Sequence, residues 1–297
     1  MFENFRSETI DVGDGISIFA RIAGSGPPLL LLHGYPQTHL CWHKIAPALA
    51  ERFTVVATDL RGYGASSKPP SDPDHASYSK RAMAQDQVRA MAALGFDRFF
   101  LAGHDRGGRV AHRLVLDHAD CIERFAVLDI APTASMYAAT DREFAEAYYH
   151  WFFLIQPYDM PERLIGAEAE YYVRRTLASW CRTEGAFSDA ALEAYVDAFT
   201  APGAIHAACE DYRAAATIDL RHDEEDLHAG RRIAKPMLAL WGSRGIVGRR
   251  FDVPSLWREK SDSAITGKAI DCGHFVPEEA PDETLAALTE FFGSPDA

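Results

Sequence analysis

Asp105 sits in Gly103-His104-Asp105-Arg106-Gly107-Gly108, a hexapeptide that follows an apolar run and opens a helical pattern. Small residues on either side of a reactive side chain permit a sharp strand-to-helix turn. That turn projects the side chain, with the first N–H groups of the helix beside it. A serine in this place would make an esterase nucleophile, but the chain contains no G-x-S-x-G. A carboxylate needs no deprotonation at neutral pH, and it attacks a saturated carbon bearing a leaving group. The ester so formed must then be hydrolysed by water. The competing reading is a plain helix cap, a common task for Asp at such a position.

Three further segments supply the rest of that chemistry. Asp271-Cys272-Gly273-His274-Phe275 lies where the last strand ends, and His274 there would take a proton from the water that attacks the ester. The imidazole needs an acid partner to fix its tautomer. Leu240-Trp241-Gly242-Ser243-Arg244-Gly245, after the preceding strand, holds no carboxylate, whereas Phe125-Ala126-Val127-Leu128 ends directly in Asp129. Asp129 is therefore the expected partner, with Asp252 as the fallback. In Leu31-Leu32-His33-Gly34-Tyr35-Pro36, the Tyr35 N–H can join that of Arg106 in an oxyanion hole.

The elements that must position these groups alternate along the first part of the chain. Ile16–Ile22, Pro28–Leu32, Phe53–Ala57, Phe99–Ala102 and Phe125–Leu128 read as strands. Helices are expected near Tyr78–Leu94, with Met83, Val88, Met91 and Leu94 on one face, and near Arg106–His118. Short apolar strands separated by helices imply a parallel sheet covered on both faces. From about Ala131 to Arg232 the pattern turns helical, with Phe144, Tyr148 and Trp151, then Tyr172, Leu177 and Trp180, at helical spacing. Strands resume at Met237–Trp241 and Ala264–Ile270, and a last helix is expected at Pro277–Phe292. The division predicted is a core in two parts, 1–130 and 233–297, with an all-helical cap at 131–232.

Composition narrows the function classes. The chain has 297 residues and a net charge of −13, which argues against nucleic acid or an anionic membrane as partner. An anionic substrate would need a local cluster of cations. Cys41, Cys121, Cys181, Cys209 and Cys272 are odd in number and scattered, as buried thiols in a reducing compartment would be. MFENFRSETI has no signal-peptide pattern, and the apolar run Pro27–Leu32 is too short to span a bilayer. A cytoplasmic protein is expected. The 12 histidines are read as showing no H-x-x-x-H or carboxylate-paired spacing, and so no metal site.

With those motifs in place, the chain resembles the fluoroacetate (haloacetate) dehalogenases, in the α/β-hydrolase branch shared with epoxide hydrolases and haloalkane dehalogenases. HGYP at 33–36, DLRGYGAS at 59–66, the Asp elbow and the final His mark the branch. More specific are Arg106 directly after Asp105, where the other two groups usually carry Trp, and Arg109 one turn on. Tyr149-His150-Trp151 with Gln156-Pro157, and Glu210-Asp211-Tyr212-Arg213, add to these. The resemblance implies an α/β-hydrolase fold with a mostly parallel sheet and an inserted helical cap. It also implies that Arg106 and Arg109 bind a substrate carboxylate, that His150, Trp151 and Tyr212 hold the leaving halide, a homodimer, and no cofactor.

The residues agree in part. Positions i and i+3 share a helix face, so Arg106 and Arg109 can grip one anion beside Asp105. The cap aromatics, judged by spacing alone, would read as packing. An epoxide hydrolase is the runner-up. It would draw its two tyrosines from Tyr212 and Tyr148 or Tyr149, but a neutral epoxide needs no arginine pair. A non-catalytic receptor of this fold would have no use for an intact nucleophile, base and acid.

Overall fold

The apolar runs form the middle of one sheet because every side chain in them has somewhere dry to go. The computed structural model describes residues 1–293. Its strands are β1 (Arg6–Gly13), β2 (Ile16–Ala23), β3 (Pro28–Leu32), β4 (Thr54–Thr58), β5 (Phe99–His104), β6 (Ile122–Leu128), β7 (Met237–Gly242) and β8 (Ile265–Ile270). They lie in the order β1-β2-β4-β3-β5-β6-β7-β8. β1 and β2 pair antiparallel with their neighbours, and β4 through β8 form a parallel ladder. Every residue of β5 is buried, as are Leu29–Leu32 of β3 and Val55–Thr58 of β4. Helices cover both faces, so these strands carry no polar side.

The edges are different. β1 was not among the expected strands, since RSETIDVG is mostly polar and buries only Ile10 and Val12. β8 was expected as an apolar run, yet its middle residues Thr266–Ala269 are exposed. Charged, thinly apolar edge strands resist pairing with other chains. The last helix was expected in one piece and is two, Val276–Glu279 and Pro281–Gly293. Pro281 disfavours helical geometry in the residue before it, and Ala280 takes φ −137°.

Between β6 and β7 the described residues make eight helices and no strand, from Thr133–Ala138 to Ile218–His228. Phe144, Trp151, Tyr195 and Tyr212 of this excursion are buried, continuous with the sheet face that carries Leu30, Val56 and Leu101. The opposite face packs Leu29, Val55 and Ala126 against Phe291 and Phe292. No helix among the described residues is long and apolar enough to cross a membrane.

The register decides where chemistry can occur. Leu32 lies opposite Gly103, His104 opposite Leu128, and Gly242 opposite Ile270. The residues that follow these positions, His33–Tyr35, Asp105, Asp129 and Asp271–His274, therefore share one edge of the sheet, under the helical excursion.

Candidate active site

The turn after β5 is tight enough to need its glycines. A Cβ on Gly103 would lie 2.3 Å from the Gly107 carbonyl oxygen, and one on Gly107 would lie 2.5 Å from those of Leu32 and His33. Asp105 itself adopts φ 46° and ψ −112°. An L-residue in that region costs on the order of 1–3 kcal/mol and is held only by its surroundings. Asp105 does not cap the helix Arg106–Asp117, which has no side-chain cap bond. Its Oδ1 instead accepts the Tyr35 N–H at 2.8 Å, so the loop after β3 already grips the carboxylate where an oxyanion would form.

His274 approaches from the other side. Its Nδ1 lies 2.6 Å from Asp129 Oδ2, and Asp129 Oδ1 accepts the Gly242 N–H at 2.9 Å. With Nδ1 donating to Asp129, Nε2 carries the lone pair. Nε2 lies 3.9 Å from Asp105 Oδ2 and is buried without a hydrogen-bond partner. That separation is too long for a hydrogen bond and suits a water or an ester oxygen near both groups. Asp252, the fallback partner, is exposed and caps the helix Val253–Arg258 by accepting the Ser255 N–H. The His274 loop is fastened by Glu279, whose carboxylate accepts the N–H groups of Gly273 and Phe275, both at 2.9 Å.

The two arginines are not equivalent. Arg106 donates through Nε and Nη2 to the Asp211 carboxylate at 2.9 and 2.6 Å, and through Nη2 to the Asp211 carbonyl at 3.0 Å. Asp211 also pairs with Lys80 and accepts the Tyr63 hydroxyl at 2.6 Å. Arg109 has only neutral acceptors: Thr133 Oγ1 at 2.7 Å, the Ala131 carbonyl at 3.3 Å and the Met136 sulfur at 3.4 Å. Its Nε is buried and unpartnered, and its guanidinium lies 4.8 Å from the centre of a Trp151 ring. Among the described residues no carboxylate bonds to it, and Asp105 acts on it only as a charge in the same space; a buried cation so placed is costly.

Aromatic rings close the space over Asp105. His150 stacks parallel to Tyr35 at 6.1 Å and lies 5.5 Å from Tyr212 and 4.4 Å from Trp180. Trp180 in turn lies 5.4 Å from His274, and its carbonyl accepts the His274 N–H at 3.2 Å. Two polar atoms of this box, His150 Nδ1 and the Tyr212 hydroxyl, are buried with no partner. Trp151 packs among Tyr137, Phe144 and Tyr148.

A carboxylate on a tight turn, an imidazole paired with a second carboxylate and a backbone N–H group thus meet at the ends of a parallel sheet. The alpha/beta hydrolase fold model matches residues 27–281. This chain belongs to the α/β-hydrolase family. It is 46% identical to a fluoroacetate dehalogenase of Burkholderia sp. over 98% of this chain and 95% of that one. It is 36% identical to a soluble epoxide hydrolase of Corynebacterium sp. (strain C12), over 91% of each. A solved α/β hydrolase of Nostoc sp. PCC 7120 superposes with a TM-score of 0.96 at 57% identity, covering 98% of this chain and 99% of that one.

Electrostatics in this hydrolase divide the tasks. Burial alone would raise the Asp105 carboxyl, but His274, Arg106 and Arg109 hold it below the ordinary carboxylate range, so it stays ionised. Burial would lower His274, yet its bond to Asp129 and the charge of Asp105 hold it above the ordinary histidine value. His104, pushed down to about 3 by burial, stays neutral with Nε2 2.8 Å from the His274 carbonyl oxygen. Burial keeps His150 well below its ordinary value and Tyr212 well above, so both are neutral donors at physiological pH.

Asp105, His274, Asp129, Arg106, Arg109, His150, Trp151, Tyr212 and Tyr35 are brought together, whereas Asp252 is not. Sequence reading missed Asp211, Trp180 and Glu279. Asp211 stands beside Tyr212 in a segment already singled out, but its pairing with Arg106 is made only by tertiary packing. His39 and His43 do have the i, i+4 spacing of a metal motif. However, the His39 ring bonds Asp59 at 2.8 Å and that of His43 bonds the Leu40 carbonyl at 2.9 Å.

Proposed function

We propose that this hydrolase removes halide from haloacetates, giving glycolate. The observation that carries the reading is Arg109, a buried guanidinium with no carboxylate of its own, beside an ionised Asp105 and two orphaned neutral donors. A haloacetate supplies what is missing on both sides. Its carboxylate answers Arg109 and the free edge of Arg106, and its halogen faces the donors.

Asp105 Oδ2 attacks the α-carbon, the carbon–halogen bond breaks, and the electron pair leaves with the halide among His150, Trp151 and Tyr212. The enzyme then holds an aspartyl ester of glycolate. His274 Nε2 takes a proton from a water whose oxygen bonds to the Asp105 carboxyl carbon. The resulting oxyanion rests on the N–H groups of Tyr35 and Arg106. Collapse expels the glycolate oxygen, which takes the proton back from His274, and Asp105 becomes an ionised carboxyl again, releasing one proton overall. The similarity to the fluoroacetate dehalogenase supports this scheme. Residues 131–232 act in it as a cap that excludes water during the first step.

A second reading, epoxide hydrolysis, draws on the Corynebacterium relative and the free Tyr212 hydroxyl. It leaves Arg109 without an anion. Halide release from fluoroacetate and chloroacetate, measured beside diol formation from an epoxide, decides between them. Turnover of the epoxide alone would overturn the proposal. Homodimer formation is proposed on Tyr158, Met160, Leu164 and Tyr171, large apolar side chains exposed on the excursion. A monomer by sedimentation would refute it.

A further inference from the structure

A cleft of about 360 Å³ opens between the helical excursion and the loop after β7, with His274 and Asp129 on its floor and Trp180 in its wall. Its rim carries Arg175, Arg182 and Arg249, with Glu146 the acid among them. All three arginines are exposed. What sets them apart is the company their sequence neighbours keep. Arg174 pairs with Glu170 at 2.8 Å and Glu193 at 2.6 Å, and Arg250 with Asp141 at 2.9 Å and Glu143 at 3.0 Å. Arg244, near Arg182, pairs with Asp271 at 3.0 Å.

Among the described residues, neither Arg175 nor Arg249 has a carboxylate within ion-pair distance. The Arg182 guanidinium donates only to the Ser179 and Cys181 carbonyls, at 2.6 and 2.9 Å. Glu146 is itself taken by Arg142 at 2.6 Å. The chain carries 43 acidic residues against 30 lysines and arginines. On such a surface carboxylate partners abound, yet three cations around one cleft go without.

We propose that Arg175, Arg182 and Arg249 make this cleft an anion-collecting mouth, through which carboxylate substrates reach Asp105 past His274. The inference rests on the haloacetate reading and extends it to residues outside the pocket. A chain of net charge −13 repels an approaching anion over most of its surface. Unpaired cations at the rim of a low-dielectric cleft focus the field there, raising the local anion concentration and the encounter rate by about 10- to 1,000-fold. Such steering acts on kcat/KM, fades as salt shortens the screening length, and does not act on an uncharged substrate.

The test replaces Arg175, Arg182 and Arg249 together by Gln. At low ionic strength kcat/KM for chloroacetate should fall about tenfold, the low end of the steering range, with kcat unchanged. The deficit should close near about 1 M salt, where the screening length is about 3 Å. Chloroacetamide should be processed alike by both proteins. Arg175→Gln should lower kcat/KM, whereas Arg174→Gln, with the same net charge but turned away, should not. Equal kcat/KM at low salt, or an equal loss on the amide, would overturn the mouth.

A second measurement needs no turnover. Iodide should quench the Trp180 fluorescence, taken as the difference from Trp180→Phe, several-fold less in the triple variant, with neutral acrylamide quenching unchanged. If the unaltered enzyme releases halide from no haloacetate, the proposed function fails. The iodide result alone then decides the mouth.

Discussion

The sheet edge and the helical excursion face the same carboxylate, but they hold their side chains by different means. Asp105, Asp129, His274 and Tyr35 are fixed through backbone. They stand one or a few residues beyond paired strand positions, and peptide N–H groups of Tyr35 and Gly242 grip the two carboxylates directly. His150, Trp151 and Tyr212 are fixed through side chains, by stacking of rings and by the buried set Arg106, Asp211 and Lys80 that ties the excursion to the core. In the proposed reaction the first group breaks and makes covalent bonds. The second chooses what is bound and receives what leaves. On that proposal, chemistry rests on the half held by backbone and selectivity on the half held by side-chain packing.

The largest effects separate the halves most sharply. Asp105→Asn should abolish halide release with the fold intact, since the amide is no nucleophile. His274→Asn should still permit attack but not hydrolysis, so one halide is released per enzyme and the protein gains the mass of a carboxymethyl group. Intact-protein mass spectrometry after incubation with chloroacetate reads both. An unmodified His274→Asn protein that nevertheless turns over would mean that another group activates the water.

What could be read from the sequence follows the same division. The elbow, the final His and Asp129 were legible because strand ends are local: an apolar run, then a reactive residue. The structure sets Asp129, and not Asp252, against the His274 ring. β1 was not legible, since two buried residues in eight give no apolar run. Trp180 was seen only as one of several aromatics at helical spacing. Its contact with His274 spans some ninety residues of chain and exists only through tertiary packing. Likewise the inequality of Arg106 and Arg109 depends on where Asp211 lands, which no local pattern encodes.

Asp211→Asn should show how far the excursion depends on that one carboxylate. The substitution keeps the shape but leaves Arg106 and Lys80 buried with less counter-charge. Removing one member of a buried pair costs roughly 3–5 kcal/mol; Lys80 retains Asp219 at 3.3 Å, which places the expected loss toward the lower figure. Urea unfolding measures it. A variant as stable as the parent would show that the excursion does not depend on that carboxylate.

Trp151→Phe is a finer cut within the selective half, since it retains a ring over Arg109 and deletes the indole N–H. Fluoride is small, basic and strongly hydrated, so its departure depends on donors more than that of chloride. Loss of one preorganised donor at a developing anion costs roughly 3 kcal/mol, or about a hundredfold in rate. A loss of that order is expected on fluoroacetate, with a clearly smaller one on chloroacetate. Equal losses on both would assign Trp151 to packing.

The smallest expected effect is a displacement along the pH axis. His274 must be neutral to take a proton from water, so ester hydrolysis is lost as pH falls through its pKa. Burial would put that pKa low, but Asp129 and Asp105 hold it above the ordinary value of about 6.5 in the free enzyme. Once the ester forms, the Asp105 charge is gone, and with it one of the three carboxylate charges, those of Asp129, Asp105 and Glu279, that raise the imidazole. The acid limb of kcat, where hydrolysis limits the rate, should therefore lie below the pKa found by titrating His274 in the free enzyme by NMR. Below that limb the rate falls about tenfold per pH unit. Trp151→Phe should leave the limb where it is while changing the rate, because Trp151 contacts Arg109 and its own aromatic neighbours rather than His274. A limb that moved with Trp151 would show the two halves electrostatically joined, and the division of labour drawn between them would be wrong.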